Sequence, residues 1–472
     1  MKASEPTQWR GLSAGLVFIL IALWWLTYLT FYPGLVTHDS IAQYREAATG
    51  QYTNISPPLM AAIWAVLNKV ENGTVPIFIL QITLYWLSFG TLALYFMFTG
   101  RRAAVLLPFA GLFPILFAFS GVIWKDVLLA TAWGLGSTLF LFATKVDRTS
   151  AFTAATLRLT SATLLLFGAA IRHNAAPAGI FLAVALCVST PNLSMLKKTM
   201  IAAFLVVAVI FAGPLSGQAL GAADRFPFRQ VFSWDIQGIS FFSSVDYRIV
   251  PPHRPLEEAT ISCYSPRLCD ACREVAFRNK TEAFSRWFNA IVAEPGAYLK
   301  HRALVFSMLL RFGCTRCDPY MWVDGTQSNP YGFQFKENSL HRSLARSISL
   351  LAKTPLSRPY LWLVLSASLA LLNWKERRRP ACLALSAIAG SGFVYGVTYF
   401  FIAITDEFRY FYWVMFSVTL VSAAVAVDAT FHGIRRIVIF VLLPASFVWL
   451  TEHVSRSTLH TEMIAPSMTT NY

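Results

Sequence analysis

The sequence predicts an all-α protein that crosses a membrane many times. Of its 472 residues, 56% are hydrophobic and only 13% charged, and the mean hydropathy is +0.53, all far from the averages of soluble domains. Apolar stretches that match or nearly match a hydrocarbon core of about 30 Å recur along the whole chain. They are Gly11–Phe31, Val75–Phe98, Ala103–Ile123, Val127–Thr144, Leu159–Ile171, Ala176–Val188, Thr199–Leu220, Tyr360–Asn373, Ala381–Ile402, Phe411–Val427 and Ile437–Leu450, about eleven spans.

The first run lacks a small-residue cleavage site near its end and outruns a signal-peptide core, so it reads as a retained anchor. Trp24 and Trp25 are ordinary in such a span. The next stretch, 31–64, reads FYPGLVTHDSIAQYREAATGQYTNISPPLMAAIW and puts Asp39 where a chain leaving the bilayer first meets water. A short helix to about Ala48, stopped by Gly50, places Asp39 and Gln43 one turn apart on a shared face. Asp39 either serves chemistry at that face or caps the helix.

Basic residues then fall on every second loop. Arg101 and Arg102, Lys145 with Arg148 and Arg158, Lys197 and Lys198, Lys375 with Arg377–Arg379, and Arg435 with Arg436 share the side of Lys2 and Arg10. The Lys/Arg excess of cytoplasmic loops makes the amino terminus cytoplasmic. The opposite loops hold His38-Asp39, Trp124-Lys125-Asp126, Arg172-His173-Asn174 and Asp406-Glu407-Phe408-Arg409-Tyr410. Charge at a bilayer boundary is costly unless solvated or paired, so these groups either share one aqueous cavity or sit at separate solvated helix ends.

An insertion from about Gly221 to Arg358 is too polar to span and too rich in aromatic and apolar residues to stay disordered. It divides the chain into an N-terminal transmembrane catalytic module at 1–220, an extracytoplasmic insertion at 221–357, and C-terminal transmembrane helices at 358–472. Leu340–Ala352 has the apolar spacing of a helix lying along the membrane surface. Cys263, Cys269, Cys272, Cys314 and Cys317 fall in the insertion and suit disulfides or, through their two Cys-x-x-Cys pairs, a structural zinc. Cys187 and Cys382 lie in apolar spans and read as packing residues.

The net charge of +15 follows from the basic cytoplasmic loops and signals no nucleic-acid partner. No strand precedes Gly134-Leu135-Gly136, so no nucleotide site is indicated. Asn54, Asn72 and Asn279 open Asn-x-Ser/Thr triplets, which are frequent by chance.

A carboxylate beside a membrane cavity can take the proton of an attacking hydroxyl. The residues around this one are Asp39, Gln43, Ala47, Gly50, Tyr52, then Pro57-Pro58-Leu59 and Trp64. That order resembles the first extracytoplasmic loop of the GT-C fold glycosyltransferases, which include the protein mannosyltransferases and the transferases that add aminoarabinose to lipid A. Lys125-Asp126 looks like their second acidic position, and Arg409-Tyr410 like the Arg-Tyr pair at the start of a late span. Arg172-His173-Asn174 is similar to a basic patch near their sugar-phosphate site. Ser56 departs from the pattern, standing where many relatives have His.

The resemblance implies a GT-C-like fold with juxtamembrane helices in the first outer loop. It implies a donor sugar carried on a polyprenyl phosphate, a glycan, lipid or protein acceptor, and Asp39 as catalytic base. In the reaction so read, Arg172 and Arg409, with Lys125 and Arg302, stabilise the departing phosphate. Asp126, the second catalytic carboxylate, positions the acceptor or joins Asp39 in holding Mg or Mn. His38, Gln43, His173 and Tyr410 complete the substrate-binding set, and Asp406 is placed to neutralise Arg409. The setting expected is a bacterial inner membrane, with the active site outside.

Two other readings explain the spans. A transporter or flippase for a lipid-linked saccharide would call for an internal repeat and mid-span charges, which are lacking or scarce. An O-antigen polymerase or ligase would carry its key residues in later loops.

Overall fold

A computed structural model describes residues 6–146, 149–190, 193–249, 253–256, 264–267, 275–312 and 325–427. Among the described residues there are helices, 3-10 turns and three isolated bridges, and no strand. The first half runs α1 (Pro6–Phe31), α2 (His38–Thr49), α3 (Leu59–Leu67), α4 (Val75–Phe98), a 3-10 segment (Arg102–Leu112), α5 (Pro114–Ser120), α6 (Lys125–Val146), α7 (Ala151–Ala170), α8 (Ala176–Ser189) and α9 (Met195–Ala219). Then come α10 (Arg229–Ser243), α11 (Lys280–Ala293), α12 (Pro295–Leu310), α13 (Ser339–Leu351), α14 (Pro359–Trp374), α15 (Pro380–Ile402), a 3-10 turn (Phe408–Phe411) and α16 (Tyr412–Val427).

Seven of these are long and apolar enough to cross a membrane: α1, α4, α6, α7, α9, α15, and α16 with the turn before it. The span expected at Ala103–Ile123 is broken. Its 3-10 segment and α5 meet at a 70° bend, because Pro108 interrupts the helical ladder and Pro114 starts a new helix. Counted as one broken span, the pair makes eight. α8 and α14 are apolar but, at 14 and 16 residues, reach only about 21 and 24 Å. Ile437–Leu450 lies outside the described residues, as do Arg148, Arg435, Arg436, Cys263, Cys269, Cys272, Cys314 and Cys317.

α6 is the central span, with 83% of its apolar window buried, against 11% for α9. Trp133 of α6 packs edge-on against Trp413 at 5.4 Å and donates its indole N–H to the Leu165 carbonyl. Such van der Waals packing and interhelical hydrogen bonds hold a bundle whose surroundings are as apolar as its side chains. α9 turns Phe204, Phe211 and Leu215 outward, as a lipid-facing span must. Cys187 and Cys382 are buried in α8 and α15, the packing role expected of them.

In the first loop, Thr37 is the N-cap of α2, its N–H donating to Ser40 Oγ. Gly50 closes the helix in the left-handed conformation (φ 66°), which a side chain would resist. The stop is where the sequence put it, but the cap considered for Asp39 falls to Thr37. Asp39 sits in the first turn, where the helix dipole favours a carboxylate.

The stretch 221–357 has two parts. α10, α11 and α12 gather around Ile236, Ile239, Ala290 and Ala297 as a small helical cap. Residues 325–351 instead return to the first loop. Gln327 N–H donates to the Val36 carbonyl, and Asn338 Nδ2 donates to the Leu29 carbonyl at the end of α1. α13 packs on α1 and α5 through His341 and Ile348, leaving Arg342, Arg346 and Lys353 exposed.

Candidate functional site

Main-chain contacts bring α2 to the start of α6. Leu35 N–H donates to the Gly121 carbonyl at 2.9 Å, and Ile123 N–H donates to the Leu35 carbonyl at 2.9 Å. The Trp124 indole N–H reaches Thr37 Oγ1 (2.8 Å), and Ser40 Oγ–H donates to the Ile123 carbonyl (2.6 Å). Asp39 is thereby held near Lys125, whose ammonium donates to Ser56 Oγ. The loop carrying Ser56 is fastened in turn: Asn54 Nδ2 donates to Asp224 Oδ1, Arg225 N–H donates to Asn54 Oδ1, and the His173 ring lies 3.0 Å from the Asn54 carbonyl.

These elements enclose a cavity of about 680 Å³. Asp39, Lys125, Arg172, His173, Arg409 and Tyr410 all line it, together with Ser56 and Glu407. Pro177, Phe228, Phe401 and Ile402 give it an apolar side. They come from α2, α6, the turn before α8, and the segment between α15 and α16, so helix ends from one side of the bundle meet here.

Arg409 is the hub. Its Nη2 lies 2.7 Å from Asp39 Oδ2, its Nε meets Glu407 Oε2, and its guanidinium sits 4.7 Å above the Trp124 ring. Arg172 makes the second cluster. Its Nη2 is 2.8 Å from Asp126 Oδ1 and donates to the Tyr399 hydroxyl (2.7 Å), while Nη1 donates to Asp126 Oδ2 (3.1 Å). Tyr399 stacks on Tyr410 with rings 4.7 Å apart.

Burial works to raise the pKa of Asp39, but the charges of Arg409 and Lys125 outweigh it and hold the carboxyl below its ordinary range. At Glu407 the balance reverses: burial raises the carboxyl more than Arg409 lowers it. Burial lowers His173, keeping the imidazole on its neutral side. Burial also opposes the charge on Arg172, and Asp126 more than restores it.

Not every expected residue arrives at the cavity. His38 is exposed, its N–H donating to Gln327 Oε1, and it is absent from the cavity wall. Gln43 is buried in the packed face of α2 and does not share the cavity face of Asp39. Asp126 stands behind Arg172, 2% exposed, with both oxygens taken by that guanidinium. Arg302 is enclosed elsewhere, paired with Asp235. Asp406 does not neutralise Arg409; it pairs with Arg267 at 2.8 Å, and Glu407 takes the place expected of it. The helical spacing assumed for Asp406 and Arg409 fails because Arg409 lies in a 3-10 turn beginning at Phe408.

Ser56, Tyr399 and Glu407 are therefore site residues that sequence reasoning missed. The signal for Ser56 was its place directly before Pro57-Pro58. Nothing in the local sequence separates Glu407 from Asp406. The triplet asparagines Asn54, Asn72 and Asn279 all spend their side-chain oxygens on internal hydrogen bonds.

Among the described residues no three His, Cys, Asp or Glu side chains gather as a metal-ligand group. Asp39 Oδ2 and both Asp126 oxygens face arginines. Compared with known protein families, curated proteins and solved structures, the chain finds no match.

Proposed function

We propose that this chain is a membrane glycosyltransferase of the GT-C type, moving a sugar from a polyprenyl phosphate to an acceptor hydroxyl with Asp39 as general base. One observation carries the reading. Asp39, its side chain 49% exposed, faces a cavity that also holds Lys125, Arg172 and Arg409 and has an apolar side. A base, cations for a leaving phosphate and an apolar approach for an isoprenoid are what such a transfer requires.

In the proposed step, Asp39 Oδ1 accepts the acceptor's proton as the acceptor oxygen attacks the anomeric carbon. The bond from that carbon to the phosphate oxygen breaks, and its electron pair remains on the phosphate. Lys125 and Arg409 receive the new charge, worth most in a water-poor site. A single displacement inverts the anomeric centre. Asp126 acts through Arg172, fixing its guanidinium beside Tyr399 and Tyr410. The cavity then opens on the extracytoplasmic side of a bacterial inner membrane, with the amino terminus cytoplasmic.

The test is sugar transfer by the purified protein in nanodiscs supplied with polyprenyl-phosphate sugars from a membrane lipid extract. Transfer by the wild type and its loss in a folded Asp39→Asn variant support the reading. Equal turnover in both removes Asp39 from the role of base. Donor binding without turnover in either would move the protein to the transporter class.

A further inference from the structure

The exposed face of α11 repeats an apolar residue every four positions: Phe284, Phe288 and Val292, at 54%, 50% and 63% exposure. Trp287 and Arg286, on another side of the helix, are engaged within the cap. The Trp287 indole N–H donates to Asp235 Oδ2, and Arg286 donates to the carbonyls of Ala276 and Arg248. The apolar stripe faces outward, and Leu299 of α12 extends it, 54% exposed.

We propose that this stripe lies in the boundary between lipid headgroups and acyl chains, so that the cap formed by α10, α11 and α12 rests on the bilayer beside the cavity. Both ends of the stripe are tied to the ends of membrane spans. At its start, Lys280 ion-pairs with Asp224, which follows closely on Ala219, the last residue of α9. At its far end, Arg302 Nη1 donates to the carbonyl of Ala403, the residue after the last of α15. Leu299 is three residues from Arg302, about 4.5 Å along the helix axis, and Phe306 further along α12 meets Phe400 at 5.7 Å. Two consecutive helices, α11 and α12, tied at Lys280 and at Arg302 to the ends of two spans, keep the stripe at the level of the membrane surface.

The stripe also leads back, through ring contacts, to the loop that follows α9. Phe211 and Leu215 near the same end of α9 are exposed. Ring contacts then run from Phe226 to Phe232 (5.6 Å), to Phe284 (6.3 Å) and to Phe288 (6.0 Å). Exposed apolar surface of this extent is otherwise a liability in water, while an amphipathic helix gains by burying such a face about 5–10 Å into the acyl boundary. Because the stripe itself carries no cation, its partner is hydrocarbon, not an anionic headgroup. The inference is independent of the chemistry assigned to the cavity.

The experiment places the photoreactive residue benzoylphenylalanine at position 288, and separately at 284, in the full chain reconstituted in phosphatidylcholine–phosphatidylglycerol nanodiscs. Phe204, exposed on the span α9, is the positive control, and Gln51 on the polar first loop the negative one. Illumination should yield lipid adducts by mass spectrometry at 284 and 288 as at 204, with none at 51. Adducts at 204 without any at 284 or 288 overturn the proposal. Crosslinks from these positions to a second copy of the chain, in place of lipid, overturn it too and make the stripe a protein interface. An aromatic replaces an aromatic at each site and the two are read separately, so one misfolded variant leaves the other decisive.

Discussion

Replacing Arg302 with Met should destabilise the cap while leaving the cavity's own cations untouched. The side chains of Arg302 and Asp235 are both 0% exposed, with Nε 2.6 Å from Oδ1. Asp235 also accepts from Trp287 and faces His301 Nε2 at 3.4 Å. Arg302→Met keeps most of the side-chain bulk but leaves a fully buried carboxylate without its guanidinium. Removing one partner of a buried ion pair costs about 3–5 kcal/mol, and the Ala403 carbonyl loses its donor as well. At about 2–4 °C per kcal/mol for a domain of 150–250 residues, the apparent melting temperature falls by roughly 6–20 °C. The assay is thermal unfolding of the purified protein in detergent, read by loss of the monodisperse peak. The double variant Arg302→Met with Asp235→Asn removes the stranded charge, so it should be less destabilised than Arg302→Met alone, the two sites coupling by about 0.5–3 kcal/mol. A wild-type melting temperature in Arg302→Met, with only donor affinity reduced, would refute this reasoning and return Arg302 to the substrate-binding set.

Acid should weaken the same cluster. Burial lowers His301, and at Asp235 burial's upward push is outweighed by Arg302 and His301; both groups thus bind fewer protons folded than unfolded. The stability they contribute is present at neutral pH and is lost as pH falls, for His301 from its unfolded value of about 6.5 and for Asp235 from about 3.9. Unfolding midpoints should therefore drop between pH 7 and 5 in the wild type and change less in His301→Gln. Asp39→Asn should lower sugar transfer by about 10²–10⁴-fold while changing stability by less than about 1 kcal/mol, because Asp39 itself is half-exposed and Arg409 keeps Glu407 as a partner. In the same assay Lys125→Met, which removes a charge, should cost at least about tenfold more than Ser56→Ala, which removes a neutral hydrogen-bond partner. Gly238→Ala would set a Cβ 2.1 Å from the His301 ring, destabilising by about 1–3 kcal/mol; Gly217→Ala, whose nearest neighbour is 4.0 Å away, serves as the neutral control.

The parts of this architecture that could be read from sequence are those with a periodic or compositional signal. Long apolar runs mark α1, α4, α6, α7, α9 and α15, and a glycine stop after an amphipathic turn marks α2. The bend between the 3-10 segment and α5 is less legible because apolar composition continues straight through Pro108 and Pro114. Arginines show the other limit. Arg172, Arg302 and Arg409 look alike in sequence, yet two line the cavity and the third braces a cap, because only tertiary packing decides which carboxylate each one meets. Gln43 shows a third limit: a shared helical face is a direction, and here the packed side of α2 and the cavity side are neighbours.

Three cations and two carboxylates line the cavity, and Asp126, standing behind Arg172, supplies the third negative charge that balances them, with His173 on its neutral side. An arriving anion is therefore not drawn by surplus charge. It must settle on Lys125, whose partner is a hydroxyl, or displace a carboxylate from Arg409. Displacement there frees Asp39 Oδ2 from its guanidinium and raises the proton affinity of that carboxylate at the moment the chamber fills. Basicity becomes contingent on cargo: the empty chamber keeps its weakest base, and a stray water meets a carboxylate that is poorly able to take its proton.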